Sequence, residues 1–378
     1  MLNKGVNWIF RFIVGGLFIF SGAVKANDVH GFTYRLEDYF NVFGMSFLDP
    51  IAAPLAALIC LAEIFLGVAL IIGALVTFTV NLLMIMIVFF SFLTFYSAYT
   101  GQVTDCGCFG DVLPLTPWES FYKNVFLLIF TGYLYANQSL IKPVFSKINN
   151  FSILWGITGI SAIFTLFTWY YLPVFDVRPY AEGKDIYEQT LVQDDGEPIE
   201  NEYKFIYRNE NSGELFETTD AAEQPEGDNW VFEDREEISV AEREDPPIAN
   251  FGISTLNGED VSDWFFEQNG YRLMIVQYDL HSSNTSGQSK INKIVNSLND
   301  EFDEGEKIWA LTSSGRETID EYKFENDVPY DFYVADPVKL KTIVRSNPGL
   351  LLLKDNEVLR KWPSTALPDA QAIAEYME

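Results

Sequence analysis

The sequence predicts an α-helical membrane bundle followed by an α/β domain, with a small β-rich insert between them. Three observations carry this. Residues 51–104 are 54 consecutive positions whose only charge is Glu63, where one span needs about 20 apolar residues. Charge is also unevenly placed: there are seven Lys or Arg and eight Asp or Glu up to residue 173, against 18 and 45 from residue 174 onward. Beyond Phe251, short apolar runs alternate with segments of helical period, the pattern of a layered α/β domain. A surface this acidic repels phosphate, which argues against nucleic acid as a partner.

The bundle is read as five spans in order. The first covers 6–24. Lys4 and Arg11 resemble the charged start of a signal peptide, but no small-residue cleavage site follows and further spans do, so this helix is expected to be retained. The run 51–104 is a helical hairpin turning near Gly73 and Ala74. The fourth span, 120–136, has a short apolar core, and the fifth covers 151–175. Segment 27–50 mixes aromatics with charges and reads as an interfacial helix or re-entrant cap. Gly15, Gly16, Gly22 and Gly67 permit close helix approach. The first four spans make a domain of residues 1–137; residues 138–175 supply a loop and the fifth helix.

Basic residues in short loops favour the cytoplasmic side. Lys4, Arg11, Lys142 and Lys147 therefore put the N-terminus and the 137–150 loop in the cytoplasm. The loop "TDCGCFGD" at 104–111 and the whole acidic half are then outside, in the periplasm of a cell with two membranes. The expectation is an inner-membrane protein embedded in a lipid bilayer.

Residues 176–246 form the acidic insert, with 19 acids against four bases between 194 and 246. "EYKFIYR", "ELFETT" and "NWVFEDREEISV" are strand candidates with a turn signal at "NENSG", and "EREDPPIAN" reads as a linker. From 247 to 378 the expected order is strand "YRLMIVQY", helix "SGQSKINKIVNSLNDEF", strand "KIWALTS", helix "GRETIDEYKF", strand "YDFYVAD", helix "PVKLKTIVRS", hairpin "PGLLLLKDNEVLRKW" and a closing helix "PDAQAIAEYME".

Chemistry is concentrated in few residues. Cys60, Cys106 and Cys108 are too few for a disulfide framework, and two neighbouring thiolates fall short of the four ligands zinc takes, so no metal is expected. Cys106 and Cys108 can pair only if the chain bends at Gly107. That small, strained ring would stabilise little and reduce easily, which suits an electron carrier better than a staple. Idle thiols and a shared metal site are the competing readings. Glu63, within an apolar span, is costly unless paired or protonated. Lys25 is one candidate partner, unless it snorkels to the interface. Glu63 lies ~18 Å along its helix from Ile51, deep in the span and expected to be far from the CGC loop. A proton path or a quinone head-group contact would suit it; a protonated acid bonded to a neighbouring helix is the plainer alternative. Cys60 reads as a small packing residue, and the many Phe of the spans as lipid contact and packing.

Residues 247–378 resemble a thioredoxin-fold domain of the peroxiredoxin or thiol-reductase type, on "PPIANFGISTLNGEDVSDW" and "SNPGLLLLKDNEVLRKW". The resemblance implies that Pro348 is a cis-proline facing a binding groove. Redox members carry C-x-x-C after the first central strand. Here "YDLHSSNTSG" offers only Ser283 and Ser286 at that spacing, which cannot form a disulfide. A redox-dead domain is expected, either binding an extended partner or capping the membrane domain.

Residues 1–137 resemble the DoxX family and the related methylamine-utilisation protein MauE, on "RFIVGGLFIFSGAVKANDVHGF", "CLAEIFLGVALIIG" and "DCGCFGD". "LPVFDVRPYAEGKDI" resembles a junction in Bacteroidota proteins that join a DoxX-like to a thioredoxin-like domain. This implies a four-helix membrane domain tied to redox or thiol chemistry. Two functions follow. In the first, Cys106 and Cys108 exchange electrons between periplasmic thiols and a membrane quinone, as a possible thiol:quinone oxidoreductase with Glu63 and Lys25 at the quinone. In the alternative, the chain is a non-enzymatic envelope subunit or scaffold whose thioredoxin-like domain binds partner proteins.

Overall fold

The computed structural model describes residues 2–377 apart from 104–106, 114, 195–196, 200–202, 210–211, 220–224, 226–228, 238–245 and 299–306. The chain divides into two units. The first comprises Met1–Arg178, Val344–Ser346 and Pro363–Ala366; the second comprises Pro179–Ile343, Asn347–Trp362 and Leu367–Glu378.

The first unit is helical. Its helices are α1 (Leu2–Asn27), α2 (Val29–Val42), α3 (Ala52–Ile72), α4 (Val76–Thr100), α5 (Pro117–Ala136) and α6 (Lys147–Tyr170). Among the described residues four helices are long and apolar enough to cross a membrane: Gly5–Asn27, Ser46–Ile72, Val76–Thr100 and Ile148–Tyr170. The expected fourth span is a helix, α5, but its composition falls short, since Glu119, Lys123 and Asn124 occupy its first turns. It starts with a capping box between Thr116 and Glu119 and Pro117 at its first position, which together satisfy orphan donors. It packs into the bundle nonetheless: Leu127 and Leu134 share a core with Val14, Leu66 and Leu83. The last span ends at Tyr170, short of the expected 175, because Pro173 has no N–H to continue the ladder and its ring clashes with the preceding turn.

Segment 29–42 is helical and buries Val29, Phe32, Leu36 and Phe40 in one core with Ala52, Ala56 and Cys60 of α3. Three of the four small-residue positions bring α1 and α3 together. A Cβ at Gly15 would stand 2.8 Å from the Gly67 carbonyl, one at Gly22 2.8 Å from the Cys60 carbonyl, and one at Gly67 2.5 Å from the Gly15 carbonyl. Gly16 has nothing within 4 Å and plays no such part.

One end of the unit is tied by Arg11. It is 1% exposed and donates from Nε to the Leu70 carbonyl (3.2 Å), from Nη2 to Ile71 (2.7 Å) and from Nη1 to Lys142 (3.3 Å). The first two are carbonyls at the end of α3, where Gly73 turns the chain at φ 70°. Val144 N donates to the Ile72 carbonyl at 2.9 Å. Arg11 is therefore a buried cap, making three charge-assisted bonds to backbone carbonyls.

The second unit is mixed α/β. A short helix α7 (Ile186–Thr190) leads into an antiparallel pair, β1 (Val192–Asp194) and β2 (Glu197–Ile199), and a three-stranded sheet in the order β4 (Leu215–Thr218), β3 (Tyr203–Asn209), β5 (Trp230–Glu237). The insert is thus β-rich in its described residues; residues 242–245 of its linker "EREDPPIAN" lie outside them. The larger sheet contains β6 (Ile253–Ser254), β7 (Tyr271–Gln277), β8 (Ile308–Thr312), β9 (Phe332–Ala335), β10 (Gly349–Lys354) and β11 (Glu357–Pro363), in the order β11-β10-β7-β8-β9-β6. Strands β7, β8 and β9 are parallel, while β10 and β6 run antiparallel to their neighbours. Helices α8 (Ser262–Glu267), α9 (Thr285–Leu298), α10 (Arg316–Asn326), α11 (Pro337–Ile343) and α12 (Ala370–Ala374) complete it. Ile291, Ile294, Val295 and Leu298 of α9 form one core with Leu273, Ile275, Leu350 and Leu352. The Asn347–Pro348 bond is cis.

Candidate functional site

The site is built at one of the close approaches of α1 and α3, at Gly22. Gly22 admits the α3 backbone at Cys60 and Glu63, so the side chains on either side of it meet α3. Ser21 and Lys25 are one turn apart on α1 and share a face. Lys25 Nζ donates to Glu63 Oε1 at 2.6 Å and to Ser21 Oγ at 3.1 Å. Both charged side chains are 3% exposed. An ion pair this deep is retained only when its members bond each other closely, since each charge alone carries a penalty of several kcal/mol. The sequence's candidate pair, Lys25 with Glu63, is thus the observed one. Among the described residues, Glu63 Oε2 is nevertheless buried without a hydrogen-bond partner.

The CGC loop reaches this pair. Gly107 takes φ 64°, the left-handed conformation that glycine adopts at no steric cost. The Ser21 hydroxyl then donates to the Cys108 carbonyl at 2.8 Å. Ser21 is six residues before the end of α1, ~9 Å along its axis. Glu63 and Cys108 line one cavity, together with Phe90, Phe109, Lys123 and Asn124. It encloses about 370 Å³ of empty space, solvent at its mouth included. The expectation that Glu63 lies far from the CGC loop is corrected. Counting axial rise assumed that the loop stays at the bundle's end, whereas it folds back along α1. Cys106 lies outside the described residues. Cys60 is fully buried in the α1–α2–α3 core, as a packing residue.

Charge also gathers just beyond the spans of this unit. Asp28 caps α2 by accepting from Gly31 N at 2.8 Å. Arg345 Nη2 bridges Asp28 Oδ2 at 2.9 Å and Asp111 Oδ2 at 3.0 Å. Burial opposes the Asp28 charge, but Arg345 and then Arg178 prevail and hold its carboxyl below the usual range. At Asp111 burial prevails over Arg345 and the carboxyl is raised.

In the second unit the loop between β7 and α9 carries the Ser283 and Ser286 positions. Ser283 is buried. Its Oγ accepts from Gln277 Nε2 at 2.8 Å and lies 3.2 Å from the Tyr322 hydroxyl. Gln288 Nε2 donates to the Tyr330 hydroxyl at 2.8 Å. Ser286 is exposed. The helix cap is Asn284, whose Oδ1 accepts from Gly287 N at 3.0 Å and whose N–H donates to the Asn347 carbonyl at 3.0 Å. That bond brings the loop beside Pro348.

Three site residues escaped the sequence reading: Ser21, Lys123 and Asn124. Ser21 could have been found by its four-residue spacing from Lys25. Asn124, 3% exposed, donates to Thr94 Oγ1 at 3.2 Å; an amide in an otherwise apolar helix was its signal. Lys123 sits 4.1 Å over the Phe109 ring.

Residues 3–137 match the family described as methylamine utilisation protein MauE. The N-terminal part is a MauE-family membrane domain, as the resemblance implied. Protein TlpB of Flavobacterium psychrophilum is 27% identical over 162 residues, covering 42% of this chain and 42% of that protein. The chain thus aligns with about two fifths of the length of the curated relative it matches. No solved structure matches it.

Proposed function

We propose that this membrane protein carries electrons between thiols outside the membrane and a membrane quinone, through Cys106 and Cys108. The observation that carries this reading is that Cys108 and the buried Lys25–Glu63 pair line one cavity. A client dithiol attacks the Cys106–Cys108 disulfide; the client leaves as a disulfide and Cys106 and Cys108 remain as thiols. Cys106 and Cys108 then give up two electrons and two protons to the quinone and re-form their bond. Lys25 and Cys108 line the same cavity, and positive charge nearby favours the thiolate form on which reactive thiols depend. Phe90 and Phe109 offer aromatic walls, and Lys25 and Asn124 polar contacts, for a quinone ring.

The proposed setting is an inner membrane with the N-terminus cytoplasmic and the CGC loop and residues 179–378 periplasmic. Lys4, Lys142 and Lys147 support this, as does the gathering of Arg11, the α3–α4 turn and Lys142 at one end, away from the Ser21–Cys108 contact. The second unit is proposed to be thioredoxin-like and redox-inert, recruiting the client. Three parallel strands joined through α9 and α10, then Pro348 and a terminal β-hairpin, support that assignment.

A second reading rests on Ser283 and Ser286. With hydroxyls at the C-x-x-C spacing, the second unit acts as a binding module and the bundle as its anchor in an envelope complex. One experiment separates the two. Thiols are trapped in native membranes with a mass-shifting alkylating reagent, with and without added quinone. A Cys106–Cys108 disulfide whose fraction rises with quinone is the expected result. Two alkylated thiols under every condition would leave only the binding module.

A further inference from the structure

We infer that Arg345 is a positioning residue for the CGC loop: its ion pair with Asp111 keeps Cys108 seated against α1, and release of that pair is what opens Cys108 to a thiol client. This rests on the proposed electron-carrier function and adds to it the residue that governs access to a reacting cysteine.

The loop is seated by close contacts that leave Cys108 9% exposed. A Cβ at Gly107 would stand 3.0 Å from Arg35 Cγ of α2, and one at Gly110 3.3 Å from Val24 Cγ1 of α1. Both glycines take positive φ, 64° and 52°, so backbone lies against the two helices where a side chain would hold it off. Ser21 binds the Cys108 carbonyl at 2.8 Å, and the Phe109 ring meets that of Phe20 at 5.3 Å. A thiol covered in this way exchanges with a protein dithiol only when the segment lifts. The frequency of such a local opening depends on what ties the segment down.

The charged tie is Arg345. Its Nη2 donates to Oδ2 of Asp111, three residues beyond Cys108, at 3.0 Å. The same guanidinium grips Asp28, between α1 and α2, donating from Nε to Oδ1 at 3.1 Å and to Oδ2 at 2.9 Å. Asp28 is fixed in turn by the Gly31 N–H at 2.8 Å. Arg345 has a firm mount. Its neighbour Ser346 accepts at Oγ from Ser364 N at 2.9 Å, and Thr365 Oγ1 donates to the Tyr170 carbonyl at the end of α6. The Arg345 side chain is 6% exposed and that of Asp111 33%, so release falls on the Asp111 side. Burial raises the Asp111 carboxyl in spite of Arg345, which marks the same carboxylate as the less firmly held. A charge-assisted bond is roughly twice as strong as a neutral one, so this tie outweighs the hydroxyl bond from Ser21.

The test uses the full chain in lipid nanodiscs with Cys106→Ser, which leaves Cys60 and Cys108 as its only thiols. Labelling by a bulky polyethylene-glycol maleimide is followed as a mass shift. Cys60, fully buried in the α1–α2–α3 core, is the internal control for unfolding. Arg345→Met and Asp111→Asn are each expected to speed Cys108 labelling at least about tenfold, the effect of one charge-assisted bond on an opening equilibrium, while Cys60 stays unlabelled. Asp111→Glu, which keeps the carboxylate, should restore slow labelling. The paired variants separate a tie from a field. One removes a positive charge and the other a negative one, so an effect on thiolate ionisation alone would drive the two rates apart.

Unchanged rates, or rates that move in opposite directions, overturn the inference. So does parent labelling as fast as in the denatured chain. These outcomes leave the electron-carrier reading intact, because neither a disulfide nor a quinone enters the measurement. That reading fails separately, through a Cys106–Cys108 pair that ignores quinone. Where Cys60 labels in the Arg345→Met protein, that variant has unfolded and Asp111→Asn decides.

Discussion

The chain buries polar side chains in two places, and they are finished differently. At the head of α9, Gln277, Ser283, Gln288, Tyr322 and Tyr330 bond one another, Gln288 also donates to Asn292 Oδ1 at 2.6 Å, and none of their buried side-chain atoms lacks a partner. In the helical bundle, Lys25, Ser21 and Glu63 form a chain that stops at Glu63 Oε2. A closed network specifies packing and has nothing left to offer a ligand. An open one retains an unmet acceptor beside a cavity and a cysteine. The position that the thioredoxin resemblance marks as reactive is the sealed one. The open one lies in a span whose composition is almost wholly apolar.

The sharpest way to break this contrast is to remove one partner of the open chain. Glu63→Ala leaves the Lys25 ammonium buried alone and is expected to cost ~3–5 kcal/mol, read as a fall in the unfolding midpoint in nanodiscs. Replacing both residues, Lys25→Met with Glu63→Leu, should recover most of it. A single variant as stable as the parent would show that water, not Glu63, balances Lys25.

Opening the closed network comes next. Tyr322→Phe is expected to leave hydroxyl and amide groups of Ser283, Gln277 and Gln288 under-satisfied, at ~1–3 kcal/mol, measured by denaturant unfolding of the full chain. The Cys106–Cys108 response to quinone should not change; if it does, the two regions are not independent.

The closed network also sets a pH limit. Burial is the main cause that pushes the Tyr330 hydroxyl up, with the neighbouring Tyr322 adding to it against the Gln288 bond. The folded state therefore favours neutral tyrosine. Its contribution is complete below the unfolded tyrosine value of ~10 and is lost as pH rises beyond it. Alkaline titration followed by tyrosinate absorbance should show Tyr330 ionising only with unfolding, and Tyr330→Phe should remove that part of the dependence. The smallest effect belongs to exposed Ser286. Ser286→Ala should stay within ~0.5 kcal/mol, and a larger loss would mean that the two serines act together after all.

Much of the architecture was legible because it depends on local pattern. The 54-residue run fixed a hairpin, and its Gly73 turn is where the glycine stands. Lys25 was identifiable as a partner for Glu63 because a buried carboxylate demands one. The path of the CGC loop was not legible. Its anchor, Ser21 to the Cys108 carbonyl, joins residues 87 apart, and spacing along one helix says nothing about a loop that folds back on another. Arg11's capping role was hidden for the same reason: its carbonyl acceptors come from distant parts of the chain. The serine spacing at 283 and 286 was plain, but which hydroxyl is buried depends on Tyr322, brought in from α10.

Arg11 also constrains how the protein is made. Its acceptors lie 59, 60 and 131 residues downstream. A chain that emerges N-terminus first delivers α1 to the bilayer with a guanidinium whose carbonyl partners do not yet exist. Two arrive with the end of α3, and the last only after α5 has been synthesised. Although α1 precedes every other helix of this bundle in the chain, it is thus among the last of them to be secured, and its settling reports that the rest of the bundle has arrived.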